Sequence, residues 1–366
     1  MIKFREKLKK YVPVGTYIIL ALTILCGAIH LAAIFSESFA DFFSRYVGSI
    51  FRAALSYITV WIPFSLAEAI LIMIPVTFAL LLVYSFKLSA DTVKSTRFII
   101  TVMSLIPTLY CLFILGFGTG YYTSPIDQKL GLERKDVSAD ELYYTSMIIG
   151  EELNKLTEEI NFITESSSVS PYSVRETSDF ICEAYEKIYS EYEFISPLWS
   201  RVKPIVLSEP MTYTHIGGVY TFFTGESNVN TNFPDYTIPY TIAHELAHQR
   251  GIAREDEANF VAYLVCISSD DPYIRYSGYL NMYEYVISAL YSADPELYSQ
   301  TISCLDIEIR YDMYAFSKFF DKYRDSVAAD ISGAVNDTYL KLQGTEGSRS
   351  YGLVVDLTVA YYLTEN

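Results

Sequence analysis

Three long apolar runs constrain the chain most. They cover about residues 16–35, 64–86 and 98–117. At ~1.5 Å of rise per residue, a helix over each run reaches roughly 30 Å, the thickness of a bilayer's hydrocarbon core. No water is there to satisfy backbone N–H and C=O groups, so each run is expected to be a helix bonded within itself. The first run is long for a cleaved signal peptide and further spans follow it, so it is read as a retained helix. Pro75 and Pro107 lie inside the second and third runs and are expected to bend them. Glu68 sits near the start of the second, where an interfacial or bundle-facing role is expected of an acid.

Charge gives these spans a direction. The net charge is −16, but it is unevenly spread: up to Gly118 the chain holds 10 Lys/Arg against 5 Asp/Glu. Lys3, Arg5, Lys7, Lys9 and Lys10 precede the first span, and Lys87, Lys94 and Arg97 lie in the connection between the second and third. Basic segments stay on the cytoplasmic side, so three spans are expected to carry everything after Gly118 out of the cytoplasm. Arg45 and Arg52 in the first connection are the weaker counter-signal. The acidic remainder would repel phosphate, which excludes nucleic acid as a partner.

Between the first two spans, residues 39–56 place Phe39, Phe42, Phe43, Tyr46, Val47, Ile50, Phe51 and Leu55 at helical spacing, with Asp41, Arg45 and Arg52 between them. An amphipathic helix at the membrane surface is expected, with packing against the remaining chain as the other reading. From residue 121 to 366 the pattern is that of one extracytoplasmic body. Ser138-x-x-Glu141 and Ser173-x-x-Glu176 are capping boxes, each ahead of an amphipathic helix. Residues 204–230 suggest short strands, and 351–363 a final helix. The five cysteines show no C-x-x-C spacing, and are read as small buried hydrophobes.

The chemistry is concentrated in HELAHQRGIARED, beginning at His244. Positions i and i+4 share a helix face, so His244 and His248 point at one spot. Two neutral imidazoles suit Zn²⁺, and Glu245, one helical step away, can act as general base without occupying a metal position. The flanking Ile242, Ala243, Leu246 and Ala247 suit a buried helix. Gly251 is a natural helix stop. A second helix is expected from about residue 253, opening with Glu255, Asp256 and Glu257. If the glycine turn folds it back, Glu255 can complete the ligand set, with Glu257 as the alternative third ligand. Ala258 permits close helix approach, and Asn259 is placed to hydrogen-bond a ligand histidine.

His244-Glu245-x-x-His248 followed by E-x-x-A-N resembles the gluzincin type of metallopeptidase, whose second helix supplies a glutamate. The resemblance implies Zn²⁺, a zincin-like fold and Glu255 as ligand. The gap from His248 to Glu255 is shorter than gluzincins usually have; the Gly251 turn is similar to the metzincin pattern, but Arg254 stands where a third histidine is expected. Strands ahead of the metal helix in zincin-like peptidases pair with the substrate backbone, which makes Gly225, Glu226, Ser227 and Asn228 candidates for that edge. With its three spans ahead of FTGESNVN and HELAHQRGIAREDEANF, the chain as a whole resembles an uncharacterised bacterial family, domain of unknown function 3810.

The expected object is therefore mainly α: three N-terminal transmembrane helices (residues 1–120) and a zincin-like α+β extracytoplasmic domain with a small sheet (121–366). The expected function is a membrane-anchored zinc metallopeptidase acting on peptide or protein substrates, with the lipid bilayer as its other partner. The alternative is a non-catalytic membrane-tethered binding or sensor protein whose zinc is structural. That reading needs a fourth protein ligand, His215 or Cys266 for example.

Overall fold

A computed structural model describes residues 9–162 and 167–364, without the side chains of Ser350 and Tyr351. Lys3, Arg5 and Lys7 of the basic N-terminal segment lie outside the described residues. The fold is mainly helical, with one small sheet.

Three helices are long and apolar enough to cross a membrane: α1 (Val14–Phe35), α3 (Leu66–Leu88) and the stretch Thr92–Gly116. They mark the chain as a multi-pass membrane protein. The third is built of two pieces, α4 (Thr92–Met103) and α5 (Leu105–Gly116), which meet at Ser104. Pro107 has no N–H to offer the carbonyl of Met103, and the ladder breaks there. Pro75 is carried inside α3. The third span begins ahead of its apolar run because Asp91 caps it, accepting from the N–H groups of Val93 and Lys94 at 3.0 and 3.1 Å.

Residues 37–59 are helical in three consecutive pieces: Glu37–Phe42, a π-helical turn Phe43–Gly48, and α2 (Ser49–Thr59). One face of this stretch packs on the rest of the protein and the other does not. Phe42, Tyr46, Ile50, Tyr57 and Ile58 are exposed, whereas Phe43, Arg52 and Ser56 are buried against the rest of the protein.

Beyond the spans lie α6 (Ala139–Thr157), α7 (Val174–Tyr189), α8 (Thr237–Gln249), α9 (Glu255–Ile267), α10 (Pro272–Ala293), α11 (Ile307–Asp321), α12 (Val327–Leu342) and α13 (Val354–Thr364). The capping boxes at Ser138 and Ser173 form as expected. The last helix starts later than expected because Gly347–Leu353 winds as a 3₁₀ helix. At the centre is α9, buried on every side from Glu255 to Cys266 and packed against α7, α8, α10 and α13. From Phe260 to Cys266 its side chains are hydrophobic on every face, as in a core helix. The tyrosines of this core lock helices by bonding across them: Tyr185 donates to the Ala243 carbonyl at 2.7 Å, and Tyr240 to that of Asn259 at 2.9 Å.

The sheet has three strands, β1 (Lys203–Pro204), β2 (Gly218–Thr221) and β3 (Glu226–Val229), in the order β1-β3-β2. β3 runs parallel to β1 and antiparallel to β2. This corrects the expected substrate edge. Glu226, Ser227 and Asn228 lie on the central strand and are buried; all three pair with β2, Asn228 pairs with β1 as well, and Gly225 is the tight turn that leads into the strand at φ 71°. The edge strand beside α8 is β2, whose Tyr220 N–H donates to the Glu245 carboxylate.

Glu226 has a different task. Its carboxylate accepts from the N–H groups of Leu66 and Ala67, at 3.2 and 3.0 Å, in the first turn of α3. Lys203 pairs with the same carboxylate and also donates to the Thr59 carbonyl at 2.8 Å. In return, Glu68 of α3 accepts from the N–H groups of Val206 and Leu207 at 3.0 and 2.7 Å. A sheet acid thus caps the span, and a span acid caps the chain leaving the sheet. Removing one member of the buried Lys203–Glu226 pair strands the other charge, at a cost of about 3–5 kcal/mol. Lys203→Met is therefore expected to lower the thermal unfolding midpoint of the protein in lipid nanodiscs sharply. Arg45→Met, which breaks the exposed contacts to Glu193 and to the Tyr46 ring, is expected to leave it near wild type.

Candidate metal centre

The site is made by one turn. Helix α8 ends at Gln249, and Gly251 follows with φ 99°, a left-handed conformation that glycine adopts without steric cost. The chain reverses and α9 begins at Glu255. Nε2 of His244 lies 3.2 Å, and Nε2 of His248 3.4 Å, from Oε2 of Glu255. One potential ligand atom from each residue falls within 4.8 Å of the others. Of the two acids that were candidates for the third position, the structure brings Glu255 to the histidines. Glu257 turns away, accepting from the Ile126 N–H at 3.0 Å and from Arg254 at 2.9 Å.

Hydrogen bonds set the state of each group. A carbonyl only accepts, so Nδ1 of His248 carries the proton it shares with the Ile252 carbonyl at 2.7 Å, and Nε2 faces Glu255. The two imidazole rings stand nearly perpendicular, 4.6 Å apart. Asn259 was expected to orient a histidine. Instead its Nδ2 donates to the Tyr285 hydroxyl at 3.4 Å, and the Ile252 backbone does the orienting. Buried Nδ1 of His244 and Oε2 of Glu245 have no hydrogen-bond partner. Orphaned polar atoms of this kind, beside two imidazoles and a carboxylate, fit a cluster that binds a cation.

The electrostatics agree. Burial pushes the His248 imidazole down, but the charge of Glu255 overrides it and leaves the group at about 9. Burial pushes Glu255 up, and His248 and His244 more than offset that, holding it well below the usual carboxylate range. Glu245 moves the other way: burial raises it, against the pull of both imidazoles and with the help of the Glu255 charge. The site therefore holds one strongly ionised acid and one acid made more basic by its surroundings. Gly218 of β2 gives Glu245 its room, since a Cβ there would lie 2.6 Å from the Glu245 Cγ. Ser227 fixes the helix from the other side, donating to the Glu245 carbonyl at 2.8 Å.

Several neighbours carry no sequence signal. The Phe117 ring stands edge-on to His248, 5.7 Å between centroids, and 5.4 Å from Tyr220 of β2. Burial, helped by the charge of Glu255, raises the phenols of Tyr285 and Tyr339 to about 12. His215 is not near the site; its Nε2 donates to the Tyr323 carbonyl at 2.8 Å. Cys266 lies in the core against Gly278. A cavity of about 470 Å³ adjoins the Gly251 turn and is lined by Asp41, Arg45, Lys129 and Glu193 among others, without any of the three clustered residues. Two ion pairs line it, Lys129 with Asp41 at 3.0 Å and Arg45 with Glu193 at 3.2 Å. Glu255 and both histidines form the one group of metal-ligating side chains found among the described residues.

The family described as "Protein of unknown function (DUF3810)" matches residues 43–359. The chain belongs to this family. The matched region of the DUF3810 chain takes in the helical stretch from Phe43 to Thr59, the second and third spans and the whole of the centre. No curated protein matches the chain, and no solved structure does.

A cation entering this cluster must displace the proton that Glu255 holds on His248. Uptake is expected to release about one proton at pH 7, and apparent affinity for Zn²⁺ to rise roughly tenfold per pH unit until it levels near pH 9. Calorimetry of the metal-free protein in buffers of different ionisation enthalpy measures both. Uptake without proton release would contradict the His248–Glu255 coupling.

Proposed function

We propose that the chain is a membrane-anchored zinc metallopeptidase that hydrolyses peptide bonds outside the cytoplasm. The observation that carries this reading is the grouping of His244, His248 and Glu255 with the buried Glu245 carboxylate at their side, one oxygen of which, Oε2, has no hydrogen-bond partner. His244, His248 and Glu255 would hold the ion. Bound there, zinc would act as a Lewis acid and lower the pKa of water to about 7.

The remaining work falls to the chain's own residues. Glu245, made more basic by burial, takes the proton of the attacking water and passes it to the leaving amine nitrogen. β2, an edge strand, lies against Glu245 through Gly218 and is where an extended polypeptide would pair. His248 is held by the Ile252 carbonyl and cannot swing away. The alternative, a sensor with structural zinc, calls for a fourth protein ligand, and the bonds of His215 and the position of Cys266 speak against either one.

Orientation rests on charge. Arg97 donates to the carbonyls of Lys9 and Lys10 at 3.5 and 3.3 Å, so the two basic segments share one end of the bundle. That end is the cytoplasmic one under the positive-inside rule, which leaves the centre outside.

Two measurements test this. Glu245→Gln is expected to retain stoichiometric zinc while peptide-library cleavage falls by roughly 10²–10⁴-fold; unchanged cleavage would reject the peptidase reading. Cys304 is exposed, whereas Cys26, Cys111, Cys182 and Cys266 are buried. A membrane-impermeant maleimide is expected to label Cys304 on intact cells, or on spheroplasts where an outer membrane intervenes. Labelling that requires lysis would reverse the assigned orientation.

A further inference from the structure

The centre adjoins the end of the third span. The third span runs through lipid from about Phe98, just past Arg97, to Gly116, roughly 28 Å of helix against ~30 Å of hydrocarbon. The next residue, Phe117, is the one that stands edge-on to His248 and packs on Tyr220. One turn back within the span, Phe113 packs on Phe222, just past β2, at 5.3 Å. Gly120 lets the chain that leaves the span pass so close to the metal turn that a Cβ would lie 2.7 Å from the Gly251 carbonyl. No stalk separates the centre from the bilayer.

A second set of residues marks the same level. Trp61 is 87% and Val206 78% exposed, with Phe64 and Leu207 also exposed beside them in the chain. Trp61 and Phe64 lead into α3, and Glu68 in its first turn holds the backbone of Val206 and Leu207. Aromatic and apolar side chains at the mouth of a span are those expected in the headgroup layer. They come from both the span connection and the chain leaving β1, and Glu68 ties that chain to the mouth of the span.

From this geometry we infer the substrate class: an extended segment of another membrane-anchored polypeptide, lying within about five residues of the end of its span. The inference rests on the peptidase reading above. An extended chain advances ~3.3 Å per residue, and one aromatic ring, Phe117, separates the end of the third span from His248. A polypeptide leaving the bilayer reaches β2 within a few residues, already confined to two dimensions and to the right height. A soluble chain must find the same strand edge beneath the bulk of the body, against the headgroups.

The experiment uses the full chain in liposomes with two single-span reporters. One carries a cleavable segment three to eight residues outside its span, the other the same segment thirty residues out, and the free peptide serves as control. The wild type is expected to cleave the near segment at least tenfold faster than either of the others. In parallel, Glu245→Gln with a photocrosslinking residue in place of Val219, which is on the β2 edge and exposed, is expected to capture the near segment in preference. Equal cleavage, or equal or absent capture of near and far segments, overturns the inference. Preferential capture by the blocked protein, with no cleavage by the wild type, supports the placement and refutes the peptidase reading instead.

Discussion

The Arg52 guanidinium ties the protein together. It lies fully buried at the point where three backbone segments converge, donating to the carbonyls of Gly116 at 3.0 Å, Ser44 at 2.8 Å and Arg250 at 3.3 Å. Gly116 ends the third span, and Arg250 ends the helix that carries both histidines. Helix C-termini present unsatisfied carbonyls and partial negative charge, so one cation serves both ends. Burial lowers the Arg52 pKa to about 10, which still leaves it charged at neutral pH. Gly251 is required twice over, for its left-handed φ and because a Cβ would lie 2.5 Å from the Arg52 Nη2. The turn that creates the centre is thus fastened to the end of a membrane span.

The same economy of charge explains how α9 can be buried while opening with three acids. Each acid has its own cation or donor. Glu255 faces the two imidazoles, Asp256 takes Arg134 at 2.9 Å, and Glu257 takes Arg254 and the Ile126 N–H. Arg254 in turn holds the carbonyls of Tyr121 and Thr123, at 3.1 and 2.8 Å, in the segment that leaves the third span. Unpaired, any of these charges would cost several kcal/mol in such a core. Paired, they fix the angle between α8 and α9 and so the gap between the ligand atoms.

Local signals were legible in the sequence and long-range ones were not. Apolar run length located the spans, and Ser138 and Ser173 located two helix starts, because both depend on residues a few positions apart. The i, i+4 spacing of His244 and His248 placed them on one face for the same reason. The choice between Glu255 and Glu257 depended on what waited opposite each: Ile126 and Arg254 capture Glu257, and only the fold shows that. The strand edge was misplaced because strand order is non-local. FTGESNVN and GGVYTFF read equally well as strands, and it is β1, from residues well upstream, that closes the outer side of β3. Asn259 was given to a histidine on helical spacing alone, while a backbone carbonyl, invisible to any motif, took that place.

The account stands on a zinc ion held by two imidazoles and the Glu255 carboxylate with a position left open. X-ray absorption at the zinc edge of the full-length protein, purified from its native membrane, addresses this directly. The expected result is a shell of nitrogen and oxygen only, at about 2.0–2.2 Å, that includes two imidazoles and loses one protein ligand in Glu255→Ala. A sulfur shell near 2.3 Å, or a spectrum unchanged by Glu255→Ala, would contradict the assignment.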